Sequence, residues 1–301
     1  MSLVINHNMM AANTARNLNA HYSQLSKSVQ RLSTGLRVNS AADDAAGLAI
    51  RELQRADIAT LHQGARNAND AISMIQTADG ALGVIDEKLT RMKELAEQAA
   101  TGTYDSTQRL MIESEYQAMA SEITRIANAT DFNGIHLLNG SLSSDSHDGS
   151  GMKATGKMKI HFGTGNDSAE DYYYIKIGTS TASALGVGNQ AVDGSGKLRD
   201  GGTVSTQQAA QRALEAITTA IISKDKIRAH LGAMQNRLEN TITNLNTQAE
   251  NLQAAESRIS DVDVATEMTQ FVRNQILSQS AVAMLSQANS LPQMAMKLIG
   301  G

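Results

Sequence analysis

At 301 residues the chain is long enough for one large domain or two modest ones, and the absence of Cys excludes disulfides and thiolate metal sites. Only 3% of residues are aromatic, none is Trp, and Pro292 is the single proline, a composition that suits long helices packed through aliphatic, Ala and Met side chains. The net charge of −4 is unevenly placed: no acid precedes Asp43 or follows Glu267, and the basic residues of those two ends (Arg16, Lys27, Arg31, Arg37, Arg273 and Lys297) are too sparse for a nucleic-acid arm.

The first residues, MSLVINHNMMAANTARN, lack the basic start and apolar run of a cleaved secretory signal, so a cell that exports this chain needs a dedicated route. The segment that follows shows a heptad. Leu18, Leu25 and Leu32 repeat every seven residues, Val4 and Ala11 extend the series backward, and Tyr22, Val29 and Leu36 supply a second seam position. Thr34-Gly35 is the expected stop.

A second helix is expected from Ser40, with Ser40 and Asp43 as a capping box and Asp44 adding negative charge at the positive helix end. Its apolar face runs Leu61, Ala65, Ala68, Ile72, Ile75, Leu82, Leu89, Met92, and it ends near Ala100. Thr101-Gly102-Thr103 breaks it. Asp105 and Gln108 then cap a third helix with the face Leu110, Ile112, Tyr116, Met119, Ile123, Ile126. Asn133-Gly134 and Asn139-Gly140 are hairpin-turn signals on either side of IHLL.

Residues 141–204 change character and hold 12 of the 23 Gly. Two strand-like pieces, 158–162 and 172–178, are joined by a polar turn, which predicts a small β-rich insert. Helix returns near Thr206. Leu231, Leu238, Leu245, Leu252 and Ile259 fall seven apart without a miss; Met234, Ala255 and Val262 share the second seam, which Thr241 and Gln248 interrupt. A final helix carries Val264, Met268, Val272, Ile276, Val282 and Leu285, with Pro292 placed to stop it.

The expected fold is therefore mainly α: a long antiparallel helical bundle or coiled coil formed by the N- and C-terminal segments, with β-hairpins and a small β-rich central insert. The simplest partner for the first helix is the last, which would set the termini at one pole and the insert at the other. The acid-poor ends suit a surface repeated many times at close range, where like charges would repel. Their Leu18, Leu25, Leu32, Met268, Val272 and Ile276 are the candidate polymerisation seam.

No residue set points to catalysis, a metal or a cofactor. The seven His residues are scattered and form no helical metal pair. Asp43-Asp44 reads as a helix cap, and the Gly runs 163–167 and 186–189 as turns rather than phosphate loops. Tyr172 and Tyr174 are expected to cover the small sheet on one face, and the Met-rich tail 294–299 to be packing.

Several blocks resemble the bacterial flagellins. RLSTGLRVNSAADDAAGLAI (31–50), ARNANDAISMIQTADGAL (65–82), RMKELAEQAA (91–100) and TDFNGIHLLNG (130–140) are similar to their N-terminal signature. LGAMQNRLENTITNL (231–245) and AAESRISDVDVATEM (254–268) look like the C-terminal one. The resemblance covers about 1–140 and 205–301. It implies a secreted, extracellular flagellar filament subunit for motility, not an enzyme. Residues 1–42 and 260–301 would form the filament core, 43–140 and 205–259 a helical shell with a hairpin, and 141–204 a small variable surface insert. The seam Leu231, Leu238, Leu245, Leu252 and Ile259 would belong to the shell.

The implied partners are further copies of the chain, hook-associated and cap proteins, and an export chaperone of the flagellar type III route on the C-terminal segment, with no nucleic acid and no membrane insertion. A host Toll-like receptor is implied on Arg91, Leu95 and Glu115. Arg91 and Leu95 stand four apart on a helix, and Arg91 and Glu115 are equidistant from Thr103. Thr90 and Glu97 depart from the family's usual residues beside that patch. A hook–filament junction protein of the same family, or a helical signalling hairpin, are the alternative readings.

Overall fold

The computed structural model describes residues 8–150, 155–189, 191 and 199–299. Among these the order is α1 (Met9–Thr34), α2 (Ala45–Ala100), α3 (Ser106–Ala129), β1 (Asp131–Phe132), β2 (Ile135–His136), β3 (His147–Asp148), β4 (Thr155–Gly156), β5 (Met158–His161), β6 (Tyr172–Ile175), α4 (Ala182–Leu185), α5 (Gln207–Ser260) and α6 (Val264–Ile299). The fold is mainly α, as expected.

Helix ends follow local chemistry. Asn8 caps α1, and Gly35 closes it in the left-handed region at φ 72°. The start of α2 is later than expected. Asp43 accepts from Ser40 in a turn before the helix, and Asp44 is the residue whose Oδ1 accepts from the Gly47 N–H at 2.9 Å. Ser40 and Asp43 satisfy each other and the Asn39 and Ser40 amides, so neither reaches the helix. Asp105 and Gln108 form the expected capping box of α3, and Asp263 caps α6 through the Ala265 and Thr266 amides.

The chain forms two compact units, 1–58 with 250–301, and 59–249. In the second, one core runs along α2 (Met74, Ile75, Leu82, Ile85, Leu89, Met92), α3 (Ile112, Tyr116, Ile123) and α5 (Ile217, Leu231, Leu238). The expected α2 face lies in or against it from Ala68 to Met92, and Leu61 and Ala65 are buried ahead of it. Leu110 does not: it is exposed, because the α3 stripe begins at Ile112 and returns at Tyr116, Ala120 and Ile123. The stretch 141–204 joins the same core through Leu142, Ile175, Ile177, Leu185 and Val204.

Three two-stranded antiparallel sheets are present among the described residues. Asn133 and Gly134, at φ 52° and 78°, turn β1 into β2 as their sequence predicts. Asn139-Gly140 makes no hairpin; Asn139 Oδ1 instead accepts from the Ser141 N–H, a local turn ahead of Leu142. β5 and β6 pair in register Met158↔Ile175 to His161↔Tyr172. Tyr172 and Tyr174 share the face opposite Tyr173, with Lys159 over the Tyr172 ring and Lys157 over the Tyr174 ring. Tyr173 turns to Phe162 and Arg237. The hairpin meets α2 where Gly64 leaves room for the Phe162 carbonyl and Asn67 Nδ2 donates to the His161 carbonyl at 2.9 Å.

Polar contacts fix α2 against α5. Arg228 is bidentate to Asp79 at 2.7 and 3.1 Å, and this hydrogen-bonded guanidinium holds the Asp79 carboxyl below its ordinary range. Lys224 bonds Asp86 and Asp225. On α3, the buried Tyr116 hydroxyl donates to the Gly201 carbonyl at 2.7 Å, and burial pushes its ionisation well up.

Candidate functional site

The first candidate surface lies in the unit formed by both chain ends, where α1 and α6 pack together. Arg31 reaches Glu267 at 3.5 Å near one end of the pair, and Asn8 reaches Ala288 near the other, so the helices run antiparallel. On α1 the covered positions include Ala11, Thr14, Leu18, His21, Leu25, Ser28 and Leu32. The leucine heptad is thus placed as expected. Tyr22 and Val29 are exposed; the seam steps three then four residues from Leu18, which selects His21 and Ser28 instead. Val4 lies outside the described residues.

On α6 the expected face, Leu285 apart, is turned away. Met268, Val272 and Ile276 are 44%, 44% and 56% exposed. The heptad that meets α1 is Glu267, Phe271, Asn274, Ser278, Ala281, Leu285 and Ala288. Three of its members are polar, as are His21 and Ser28 on the α1 side. The more apolar stripe, from Val264 through Val282, is left facing out. A groove of about 340 Å³ opens beside the seam between Tyr22, Leu25, Gln275, Ser278, Gln279 and Val282. The Ser278 hydroxyl, at this groove, and His21 Nδ1, elsewhere in the seam, are buried without a hydrogen-bond partner. Pro292 does not stop α6, which continues to Ile299.

The connectors of this unit are tied by main-chain bonds. Arg37 N–H donates to the Ser260 carbonyl at 2.7 Å and Val262 N–H to the Gly35 carbonyl at 3.0 Å, bracketing a Leu36↔Asp261 bridge. Leu252 and Ile259 of the α5 heptad are half-buried here, whereas Leu231, Leu238 and Leu245 are buried in the other unit. Where Gln248 would break the second seam position, Ala249 takes the buried place.

The second candidate surface is the α2–α3 hairpin. Arg91 Nε and Nη2 donate to Glu115 Oε1 at 3.0 and 2.8 Å, and Nη1 to Glu94 Oε2 at 3.0 Å. The expected juxtaposition of Arg91 and Glu115 is present and exposed. Leu95 is not part of it. It is 1% exposed, because it continues the stripe Leu89, Met92, Ala96, Ala99 that faces the core, with Arg91 on that stripe's outer border. Thr90 and Glu97 are exposed beside it.

The N-terminal helical region of bacterial flagellins matches residues 5–143, and their C-terminal helical region matches residues 214–299. The chain belongs to the bacterial flagellin family. It is 40% identical over 302 residues to flagellin FlaB2 of Treponema pallidum (strain Nichols), covering 99% of this chain and 100% of that one. It is 41% identical over 309 residues to the flagellin of Bacillus subtilis (strain 168), covering 98% and 99%. A solved protein of Vibrio parahaemolyticus described as flagellar hook-associated shares the fold, with a TM-score of 0.55 at 14% identity over 73% of this chain and all of that one. As a flagellin the chain is a structural protein and not an enzyme. Among the described residues no helix is long and apolar enough to cross a membrane. Apolar repeats do not mark His21, Ser28, Asn274 and Ser278; the alternating three- and four-residue spacing carried on from Leu18 reaches His21 and Ser28, and the same alternation from Glu267 reaches Asn274 and Ser278.

Proposed function

We infer that the chain is the structural subunit of an extracellular bacterial flagellar filament, built by polymerisation of identical copies. Identity of 40–41% to flagellins over nearly the whole chain supports the class. The observation that carries the mechanism is the outward stripe Val264, Met268, Val272, Ile276 and Val282 on a helix whose inner seam is already filled. Such a contiguous apolar face is costly in water and favourable to cover, at about 25 cal/mol per Å². A copy that covers it with a different surface of its own makes a heterologous contact, and repeated heterologous contacts generate helical filaments. Residues 1–42 and 260–301 then form the filament core.

The same stripe supports a chaperone on the C-terminal segment before assembly, with hook-associated and cap proteins as neighbours at the filament ends. Arg91 and Glu115, which project from α2 and α3, are the proposed contact of a host Toll-like receptor, without Leu95. Export without a cleaved signal follows from the family resemblance.

Negative-stain microscopy of the purified chain under polymerising conditions tests the reading. Long filaments are expected from the unaltered chain and none from Ile276→Asp, whose charge sits on the exposed stripe and leaves the α1 seam intact. Filaments from Ile276→Asp, or from a chain lacking residues 1–36, would overturn the role of the ends.

A further inference from the structure

Pro292 sits inside α6 and has no N–H to donate. The acceptor that loses its ordinary helical donor is the carbonyl four residues back, that of Ala288. Ala288 is only 5% exposed and belongs to the seam with α1, so water has little access to that oxygen. The missing donor comes from the far end of the sequence: Asn8 Nδ2 lies 2.8 Å from the Ala288 oxygen. The same side chain works in the other direction on its own helix. Asn8 Oδ1 accepts from the Ala11 N–H at 3.0 Å, and the Asn8 carbonyl accepts from the Ala12 N–H at 3.0 Å, so Asn8 is the N-cap of α1.

We propose that Asn8 and Pro292 form a register key: the proline creates one unpaired carbonyl on α6, and the Asn8 amide, the cap of α1, is the group that fills it. The proposal rests on the reading that the two ends build the filament core.

The chemistry restricts the key. An N-cap needs an acceptor, which Asp, Ser or Thr supply as well as Asn. Filling a carbonyl at the same time needs a donor on the same short side chain, and the carboxamide is the side chain of this length carrying both separately. Every other carbonyl in the helix interior meets the N–H of an ordinary residue four places on, so sliding α1 by one turn would bring Asn8 to an oxygen already engaged. It would also leave the Ala288 oxygen without a partner. Register at the far end of the pair is held by the Arg31–Glu267 contact and the 35–37/260–262 bridge; inside the seam Ser278 and His21 have no partner, and Asn8 supplies the polar contact at this end. Asn8 is thus a positioning residue for assembly, acting through the alignment of α1 on α6.

The test uses the full-length chain and its critical concentration for polymerisation. Asn8→Asp keeps the cap and the shape but replaces the donor with an acceptor, and should raise the critical concentration about tenfold. Asn8→Ser keeps the cap without adding charge and should do the same to a smaller extent. In Pro292→Ala the new N–H takes the Ala288 oxygen, so adding Asn8→Asp to it should change the critical concentration by less than about twofold, a dependence that a merely capping Asn8 would not show. An Asn8→Asp effect of equal size in both backgrounds, or none in the native one, overturns the proposal. Where Pro292→Ala fails to assemble, solid-state NMR of native filaments labelled at Asn side-chain nitrogen and Ala carbonyl carbon decides: an Asn8–Ala288 dipolar cross-peak is expected, and its absence sinks the key. Filaments from the chain lacking residues 1–36 would instead defeat the reading of the ends, so the two failures are distinguishable.

Discussion

Lys224 Nζ lies 2.5 Å from Asp86 Oδ1, in a contact between α5 and α2 that leaves the lysine side chain 2% exposed. A cation so placed depends on its partners more than they depend on it. One-sided loss of a buried pair costs roughly 3–5 kcal/mol, but Asp86 is itself two-fifths exposed and Asp225 remains at 2.7 Å. Asp86→Ala should therefore destabilise the monomer by about 1–2 kcal/mol after that discount. Lys224→Met, which removes the charge and keeps the volume, should cost less than ~1 kcal/mol. Urea unfolding of both variants checks the order; equal losses would mean that the ion pair itself, not desolvation, dominates.

Two glycines of α2 should respond to Ala with opposite signs. A Cβ on Gly64 would stand 2.0 Å from the Phe162 carbonyl oxygen, a main-chain atom, whereas a Cβ on Gly80 meets nothing within 4 Å. Ala is favoured over Gly in a helix by about 1 kcal/mol. Gly80→Ala should gain most of that. Gly64→Ala should lose a net ~1–2 kcal/mol, since the forced backbone shift costs more than the propensity returns. It should also speed proteolysis of the turn 163–171 by loosening the β5–β6 hairpin from α2. The denaturation midpoints and digestion rates measure both effects.

Arg91 and Leu95 should separate cleanly. The Arg91 ion pair is half exposed and screened by solvent, so Arg91→Ala should leave the melting transition essentially unchanged. Leu95→Ala leaves a void in the core and should cost roughly 2–4 kcal/mol. A receptor reporter assay on monomer, read beside thermal melts, is expected to show lost signalling with unchanged melting for Arg91→Ala. Lost signalling by Leu95→Ala only above its lowered melting temperature would mark an indirect effect. Full signalling by Arg91→Ala would remove the receptor from this patch.

Acid should weaken the 59–249 unit through Asp79. Its hydrogen bonds from Arg228 lower the native ionisation below the ordinary 3.8. A depressed native value means that the contribution is present above 3.8 and is lost as pH falls through the native value. Unfolding free energy should thus drop below about pH 4, and less steeply in Asp79→Asn. Because Asp79 is partly exposed, the difference should shrink in high salt. An unchanged slope in the variant would show that other carboxylates carry the acid response.

Much of this fold was legible in the chain because its helices announce themselves. The helical run through Leu231–Ile259, the Asp105/Gln108 box and the Asn133-Gly134 turn each depend on local chemistry and each forms, although the heptad divides, with Leu231, Leu238 and Leu245 buried in one unit and Leu252 and Ile259 half-buried in the other. What failed was the choice between two faces of one helix. On α6 the strongest apolar stripe belongs to the outside, and the seam carries Asn274 and Ser278; periodicity reports a face, not what covers it. Leu95 was misplaced for the converse reason: a shared helix face with Arg91 did not reveal which side of the boundary each occupies. Pro292 does not end α6 although its ring crowds the preceding turn and it lacks an N–H; the Asn8 amide at 2.8 Å from the Ala288 oxygen offsets the second of these costs.

The main-chain bridge between residues 35–37 and 260–262 has a kinetic meaning. It fastens the exit of α1 beside the entry of α6, so the two segments meet as the arms of a clasp rather than as distant parts of one chain. Tethered so closely, each arm sees the other at an effective concentration on the order of millimolar, well above that of free subunits at micromolar levels. A seam as polar as this one therefore has no need to be strong by itself. A bridge at this place favours pairing of the two arms within one subunit over their exchange between subunits.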